Sequence, residues 1–433
     1  MSSTEIHHLP DGTVTTPIGF AAAAVAAGIK QSGRPDLVLV VSDRDCAAAA
    51  VFTRNQVAAA PVLLDRETLA ANPTAQRGVL INAGNANACT GAPGLADARE
   101  MQRLAAEAVA ARPDQFLIMS TGVIGQPLPM PRVRAGIAAV ALGLSPANGR
   151  AAAEAIMTTD TRPKHAAMAV DLSGGRVTLG GMAKGAGMIH PDMATLLGVI
   201  TTDAAFPSPD PSQGARDQNS LSPRERAGER DSLPDLLRAA VAASFNAISI
   251  DGDTSTNDTI LLLANGASGV AVHDEADRAL FSAALAELCR LLALMVVADG
   301  EGVTRVVTVR VSGARTPAEA RRVADTIATS PLVKTAFAGG DPNWGRIMMA
   351  AGRSGVALDQ SRLALWVAQP GAPSLQLVRD GTPTEYRESD AAAVFAQPEF
   401  TVHLDLGHGP AEASLLTTDL THEYVSINAD YRT

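Results

Sequence analysis

Gly181-Met-Ala-Lys184-Gly-Ala-Gly-Met-Ile-His190-Pro-Asp192-Met-Ala194-Thr195-Leu-Leu-Gly-Val-Ile200-Thr-Thr-Asp203 is the stretch around which the chain is organised. Its first part holds glycines, a lone lysine and a proline, residues suited to a tight loop. Leu196-Leu-Gly-Val-Ile200 is a short apolar run that reads as a buried strand. Thr195 stands at the junction. Cutting the Ala194–Thr195 bond would leave Thr195 with a hydroxyl and a free α-amine on the same residue. A threonine hydroxyl is a weak nucleophile, and an adjacent amine with a pKa of about 7.7–8.0 is one way to activate it. Taken by themselves, these residues also read as an ordinary glycine loop entering a strand.

Working outward, a chain of 433 residues is long enough for one large or two ordinary domains with a full core. Its net charge of −10 argues against nonspecific nucleic-acid binding. No uninterrupted apolar run reaches the ~18 residues of a membrane span. The apolar run Phe20–Gly28 has no Lys or Arg before it, so it does not read as a signal peptide. Cys46, Cys89 and Cys289 are too widely spaced for a disulfide framework or a zinc site. The expectation is a cytoplasmic protein with no nucleic-acid or membrane partner.

Along the chain, Asp36–Val41 reads as a strand, and the alanine-rich pieces around it fit helix or strand. Leu95–Ala111 carries apolar residues at helical spacing. Phe116–Met119 reads as a strand delivering Ser120-Thr-Gly122 to a loop, and Pro131–Leu144 and Ala147–Met157 read as helices. Pro207–Ser232 has Ala215, Leu221 and Ala227 as its only apolar residues, too few to order itself, and reads as a flexible insertion. Asp235–Phe245 and Glu275–Val297 read as helices, Thr259–Leu263 and Arg305–Val311 as strands. Pro317–Thr329 is a helix with Thr316 placed to cap it. The remainder reads as strand-rich. The fold class is α/β or α+β, layered sheets covered by helices. Residues 1–302 are expected to form a catalytic lobe and 303–433 a smaller C-terminal lobe.

Lys184-Gly-x-Gly-Met-x-x-Pro-x-Met-Ala-Thr195 with Thr201-Thr-Asp203 resembles the self-cleavage signature of the ornithine acetyltransferases of arginine biosynthesis. Further blocks follow in the family's order. Before the junction come Phe52-Thr-Arg-Asn55, Asn82-Ala-Gly-Asn-Ala-Asn87-Ala-Cys-Thr-Gly91, Ser120-Thr-Gly122-Val-Ile-Gly125 and Thr158-Thr-Asp-Thr161. After it come Ser249-Ile-Asp-Gly-Asp-Thr-Ser-Thr-Asn-Asp258, Asp299-Gly-Glu-Gly302, Gly339-Gly-Asp-Pro-Asn-Trp-Gly-Arg346 and Asn428-Ala-Asp-Tyr-Arg-Thr433. The insertion at 207–232 departs from the family pattern but falls between blocks.

The resemblance implies an enzyme that cuts itself between Ala194 and Thr195, giving fragments 1–194 and 195–433. Thr195 then serves as an N-terminal nucleophile that takes the acetyl group. It implies Thr121 and Gly122 as the oxyanion-stabilising pair, since acyl transfer builds charge on a carbonyl oxygen. Thr161, Lys184, Thr195, Glu301, Asn428 and Thr433 match its substrate-binding positions. By residue type, a lysine with amide and hydroxyl donors can hold a carboxylate, and a glutamate can meet an ammonium. Without the resemblance, Lys184 and Glu301 would read as solvated surface charges, and Thr121-Gly122 as a turn.

Other constellations are weaker. His190 and Asp192 near Thr195 suggest a triad, but triads are spatial and local spacing says little. Asp251-Gly-Asp253 with Asn257-Asp258 lacks the spacing and terminal Glu of a calcium loop and reads as a turn dense in side-chain caps. Gly339-Gly-Asp-Pro-Asn343 lacks the Lys-Ser/Thr tail of a phosphate loop.

The activity implied is acetyl transfer from N2-acetylornithine to glutamate by ping-pong through acetyl-Thr195, with no metal or resident cofactor. Some members of the family also take acetyl from acetyl-CoA, and the residues leave that alternative open. The cleaved fragments are expected to assemble as a heterotetramer with two of each. The rival readings are a self-cleaving amidohydrolase or aminopeptidase, in which water deacylates Thr195, and a non-catalytic or metal-binding module built on Asp251 and Asp253.

Overall fold

The computed structural model describes residues 5–190, 196–206 and 232–430. Ala194, Thr195, Asp192 and Thr433 lie outside the described residues, as does the expected insertion apart from its last residue, Ser232.

The first half of the chain contributes β1 (Ile6–Leu9), β2 (Phe20–Val25), β3 (Leu37–Phe52), α1 (Ala60–Ala71), β4 (Gln76–Asn85), α2 (Gly91–Ala108), β5 (Phe116–Val123), α3 (Met130–Ala141) and α4 (Gly149–Ala155). Then come β6 (Lys164–Leu172), β7 (Gly175–Lys184), β8 (Leu197–Thr202), α5 (Leu233–Ala243), β9 (Ile248–Ser249), β10 (Thr259–Ala264) and α6 (Glu275–Val297). The rest is β11 (Val306–Ala314), α7 (Pro317–Ala328), α8 (Pro331–Gly339), α9 (Trp344–Gly352), β12 (Ala364–Ala368), β13 (Leu375–Arg379), β14 (Thr382–Pro383), α10 (Glu388–Phe395), β15 (Glu399–Asp405), β16 (Ala411–Thr418) and α11 (His422–Asp430).

Among the described residues the strands form two sheets. The larger runs β1-β6-β7-β8-β10-β3-β4-β5, with β2 also paired to β3, and the smaller runs β14-β13-β12-β15-β11-β16-β9. Pairing is mixed: β8 is antiparallel to β7 and parallel to β10, while β4 and β5 are parallel. This is the layered α/β class expected. The smaller sheet is not built from the C-terminal part alone, because β9 pairs in parallel with β16.

Apolar residues face both ways from the centre of the larger sheet. Every residue of β8 and β10 is buried, as a continuous apolar run requires when helices or loops cover both faces. Ile200 and Leu262 pack with α5 and α6 on one side, while Val199, Leu261 and Leu263 pack with residues of β3, β4 and α4 on the other. Helices α1 to α3 cover the β3–β5 end. A separate core lies between the smaller sheet and α7 to α10.

Helix α6 is long and apolar enough, by length and composition, to cross a membrane. Here it is a core helix: Phe281, Leu285, Leu288, Cys289, Leu292 and Val297 are wholly enclosed against the larger sheet and α5. Its start is fixed by Asp274, whose side chain accepts the Asp277 N–H at 2.8 Å. Thr316 caps α7 as its position predicts, accepting the Glu319 N–H at 3.2 Å.

Two local readings change. Residues 120–122 belong to β5 rather than to a loop. The region after residue 330 is not simply strand-rich, since it holds α8 to α11. Gly339–Asn343 forms the turn between α8 and α9, with the Asn343 side chain accepting the Arg346 N–H at 3.2 Å.

Candidate active site

The last residues of β5 and β7 meet at one end of the larger sheet. Thr121 and Gly122 lie opposite Ala83 and Gly84 of β4 at an irregularity in the ladder. Gly122 has φ +130°, a conformation that favours glycine. A Cβ there would sit 2.3 Å from the Gly84 carbonyl carbon and 2.5 Å from the Asn85 nitrogen. Only glycine fits.

Lys184 closes β7 and is 2 % exposed, so the surface reading of this lysine is wrong. Its Nζ lies 3.5 Å from Thr121 Oγ1 and 4.0 Å from Asp160 Oδ2. Burial lowers its pKa, and the carboxylates of Asp160, Glu301 and Asp258 oppose that shift.

Asp160 is the hub beside it. It accepts Nζ of Lys164 at 2.5 Å, the Gly185 N–H at 2.8 Å and the Thr158 N–H at 3.0 Å. Burial alone would push its carboxyl up, but Lys184, Lys164 and these hydrogen bonds hold it at about 2. Lys164 also reaches Asp299 Oδ2 at 2.6 Å. Two buried lysines thus face two buried carboxylates behind the end of β7.

Glu301, just past α6, is also buried rather than solvated. Its Oε2 accepts the Asn428 side-chain N–H at 2.7 Å, and its backbone N–H donates to Ala186 at 2.8 Å. Gly187 makes room for it, since a Cβ there would lie 2.5 Å from Glu301 Oε2.

Thr121, Gly122, Lys184, Glu301 and Asn428 line one cavity of about 260 Å³. The sequence places them in four separated blocks, and the fold brings them together. Thr161 does not join that lining: its N–H and hydroxyl donate to Asp299 instead. The cavity takes Thr158 and Thr159 from the same block.

The turn Asp251–Asn257 and Tyr424 of α11 also line the cavity, and sequence reasoning did not place them there. Asp251 accepts the Met188 N–H at 2.5 Å and the Ile189 N–H at 2.9 Å, and Tyr424 donates its hydroxyl to Asp251 Oδ2 at 3.3 Å. The capping turn expected here is present, and it caps the glycine loop that leads to the junction. His190 faces Ser249 Oγ at 3.2 Å. Past the junction, the Leu196 N–H is held by Asp258 Oδ1 at 2.8 Å.

A family model described as the ArgJ family matches residues 21–220 and 226–433. The chain belongs to the ArgJ family. The arginine biosynthesis bifunctional protein ArgJ of Symbiobacterium thermophilum is 46% identical over 426 residues, covering 98% of this chain and 99% of its own. That of Geobacter sulfurreducens is 45% identical over 421 residues, 96% of this chain and 99% of its own. A crystal structure of ornithine acetyltransferase from Mycobacterium tuberculosis, complexed with ornithine, is 41% identical, with a TM-score of 0.40. It covers 44% of this chain and 100% of that one. Membership of the ArgJ family makes the chain an acyltransferase of arginine biosynthesis.

Proposed function

We propose that this ArgJ-family chain cuts itself between Ala194 and Thr195 and then moves acetyl from N2-acetylornithine to glutamate through acetyl-Thr195. The observation that carries the reading is the convergence of Thr121, Gly122, Lys184, Glu301 and Asn428 on one cavity. Leu196, covalently joined to Thr195, is anchored by Asp258 at the start of β8.

In the uncut chain the Thr195 hydroxyl attacks the Ala194 carbonyl carbon, the C–N bond breaks, and water hydrolyses the resulting ester. The freed α-amine then serves as base while the hydroxyl takes the acetyl group and ornithine leaves. Thr121 and the Gly122 backbone donate to the oxyanion. Lys184 holds the substrate carboxylate, and Glu301, oriented by Asn428, meets an ammonium. Thr161 acts through Asp299, and Thr433 is assigned to substrate binding. Among the described residues no three His, Cys, Asp or Glu side chains group as metal ligands, and the reading assigns no step to a metal.

Named relatives are bifunctional, and acetyl-CoA as a second donor to glutamate is the corresponding extension. Two of each fragment form the working heterotetramer, in the cytoplasm. On a denaturing gel the purified protein should give two bands, 1–194 and 195–433, and Thr195→Ala one. A heavier fragment whose first residue is not Thr195 would end the proposal. Acetate release outrunning acetyl transfer to glutamate would favour the hydrolase instead.

A further inference from the structure

Asn257 stands in the turn before β10, is 5 % exposed, and lines the cavity together with Ala86, Thr121 and Gly122. Its side-chain nitrogen donates to the Ala86 carbonyl at 2.6 Å and to the Ser120 carbonyl at 2.9 Å. Carbonyl oxygens only accept, so the nitrogen of the amide, not its oxygen, must face these two partners. On the other side Oδ1 accepts the Thr256 hydroxyl at 2.6 Å. Both N–H hydrogens of the amide are thereby used on main chain, and neither is left to meet a substrate.

The two carbonyls bracket Thr121 and Gly122. The Ser120 carbonyl and the Thr121 N–H belong to one planar peptide, so holding that oxygen sets the plane from which Thr121 departs. Beyond Gly122, the Val123 carbonyl accepts the Ala86 N–H at 3.0 Å. Ala86 is the residue whose own carbonyl Asn257 holds. One amide thus fixes the chain before Thr121 directly and the chain after Gly122 through Ala86. The bracket sits where the ladder between β4 and β5 is irregular, with Asn85 set against both Thr121 and Val123. A side chain from outside both strands supplies the hold that regular pairing does not.

We infer that Asn257 is a positioning residue for the oxyanion pair, its amide nitrogen setting where the Thr121 hydroxyl and the Gly122 N–H point. The inference rests on the acyl-transfer reading above. Donors to an oxyanion act at about 2.7–3.1 Å from where the charge develops, and a misplacement of about 1 Å can cost about a hundredfold in rate. Lys184, Glu301 and Asn428 take no hydrogen bond from the Asn257 side chain among the described residues, so substrate binding does not pass through it.

Asn257→Ala removes the bracket. Behind it β4 and β5 stay joined, since the Ser120 hydroxyl donates to Asn82 Oδ1 at 2.6 Å and Asn82 Nδ2 donates to the Asn85 carbonyl at 2.8 Å. In the cut protein kcat should fall about tenfold to a hundredfold, with KM for acetylornithine within about twofold. In a Thr121→Ala background the same change should cost about threefold or less, because one of the two donors it aligns is already gone. Wild-type kcat, a loss confined to KM, or an equal loss in both backgrounds would each overturn the inference. A second route leaves Asn257 in place. Thr256→Val deletes the hydroxyl that orients the amide and should lower kcat about threefold or more at unchanged KM, while Thr256→Ser should restore it. Unchanged kcat in Thr256→Val would also overturn the inference. A wild type that neither cuts itself nor transfers acetyl would count against the acyl-transfer reading. A wild type that does both, with Asn257→Ala unimpaired, would leave that reading standing and remove only the role of Asn257.

Discussion

Nζ of Lys184 lies 3.5 Å from Oγ1 of Thr121, and both side chains are buried, at 2 % and 4 % exposure. The ammonium can only donate, so Thr121 Oγ1 is the acceptor and its own hydrogen is left to point elsewhere. The open direction is the cavity both residues line. A hydroxyl polarised in this way is a stronger donor to a developing oxyanion. Thr121→Ala should therefore lower kcat by roughly 10²–10³, and Thr121→Ser should recover most of it. Steady-state kinetics on the cut protein measure this; a fall of less than about threefold would remove Thr121 from the oxyanion role.

Lys184→Met should weaken substrate binding without unfolding the site. Asp160 would keep Lys164 at 2.5 Å and the N–H groups of Gly185 and Thr158. KM for acetylornithine should rise about tenfold or more, as expected for losing a charge-assisted hydrogen bond, with a melting temperature close to wild type. Burial lowers the Lys184 pKa, so the charge is lost at a lower pH than in an exposed lysine. Wild-type KM should climb as the pH is raised into the alkaline range, and the variant's KM should not follow it.

Much of this was legible before the fold was seen, for reasons specific to the residues. Val199–Ile200 and Leu261–Leu263 are apolar at every position, which marks strands buried on both faces. Thr316 is a capping residue standing before a helical pattern. The failures share a cause. Lys184 and Glu301 carry charges that normally seek water, and only tertiary partners such as Asp160 and Asn428 permit their burial. Thr158, Thr159 and Thr161 are chemically alike, so which of them faces the cavity is decided by packing rather than by type. Helices α8 and α9 are short and interrupted by the Gly339–Asn343 turn, which blurs their periodicity.

Asp251 holds the glycine loop by accepting from Met188 and Ile189, and it also takes the Tyr424 hydroxyl. Removing it leaves those donors unpaired, so Asp251→Ala should cost about 1–3 kcal/mol in urea unfolding and slow self-cleavage. Tyr424→Phe deletes one bond and should cost about 1 kcal/mol or less. Because N–H and O–H donors already point at this carboxylate, it is poorly disposed to a cation, which needs free oxygens. Dialysis against a chelator should leave acetyl transfer unchanged; its loss, with return on adding a divalent cation, would revive the metal reading.

The segment 207–232 is joined to elements that are anchored without it. Before it, the Ala205 N–H donates to Val270 at 2.8 Å, and the Phe206 ring meets Phe281 edge-on at 5.0 Å. After it, Leu237 and Val241 of α5 are enclosed in the same core. Replacing residues 208–231 by a short glycine-serine link should therefore preserve cleavage and transfer. Loop-closure cost grows only with the logarithm of length, so the change in stability should stay within about 1 kcal/mol. Insoluble or uncut protein would show that the segment has a structural task its composition conceals.

Donor and acceptor amino acids both carry an α-carboxylate and would compete for Lys184 in the cavity that Thr121, Gly122, Lys184, Glu301 and Asn428 line. Exchange in two steps follows: acetylornithine acetylates Thr195 and ornithine departs before glutamate enters. Initial-rate lines for acetylornithine at several fixed glutamate concentrations should be parallel. Incubation with acetylornithine alone should add one acetyl group to the fragment that begins with Thr195, and glutamate should then remove it. The amine must be unprotonated to act as base, so the rate should rise with pH through an apparent pKa near ~7.7–8.0, or below it where the site disfavours the ammonium. Intersecting lines together with an unmodified Thr195 peptide in the mass spectrum would establish direct transfer instead.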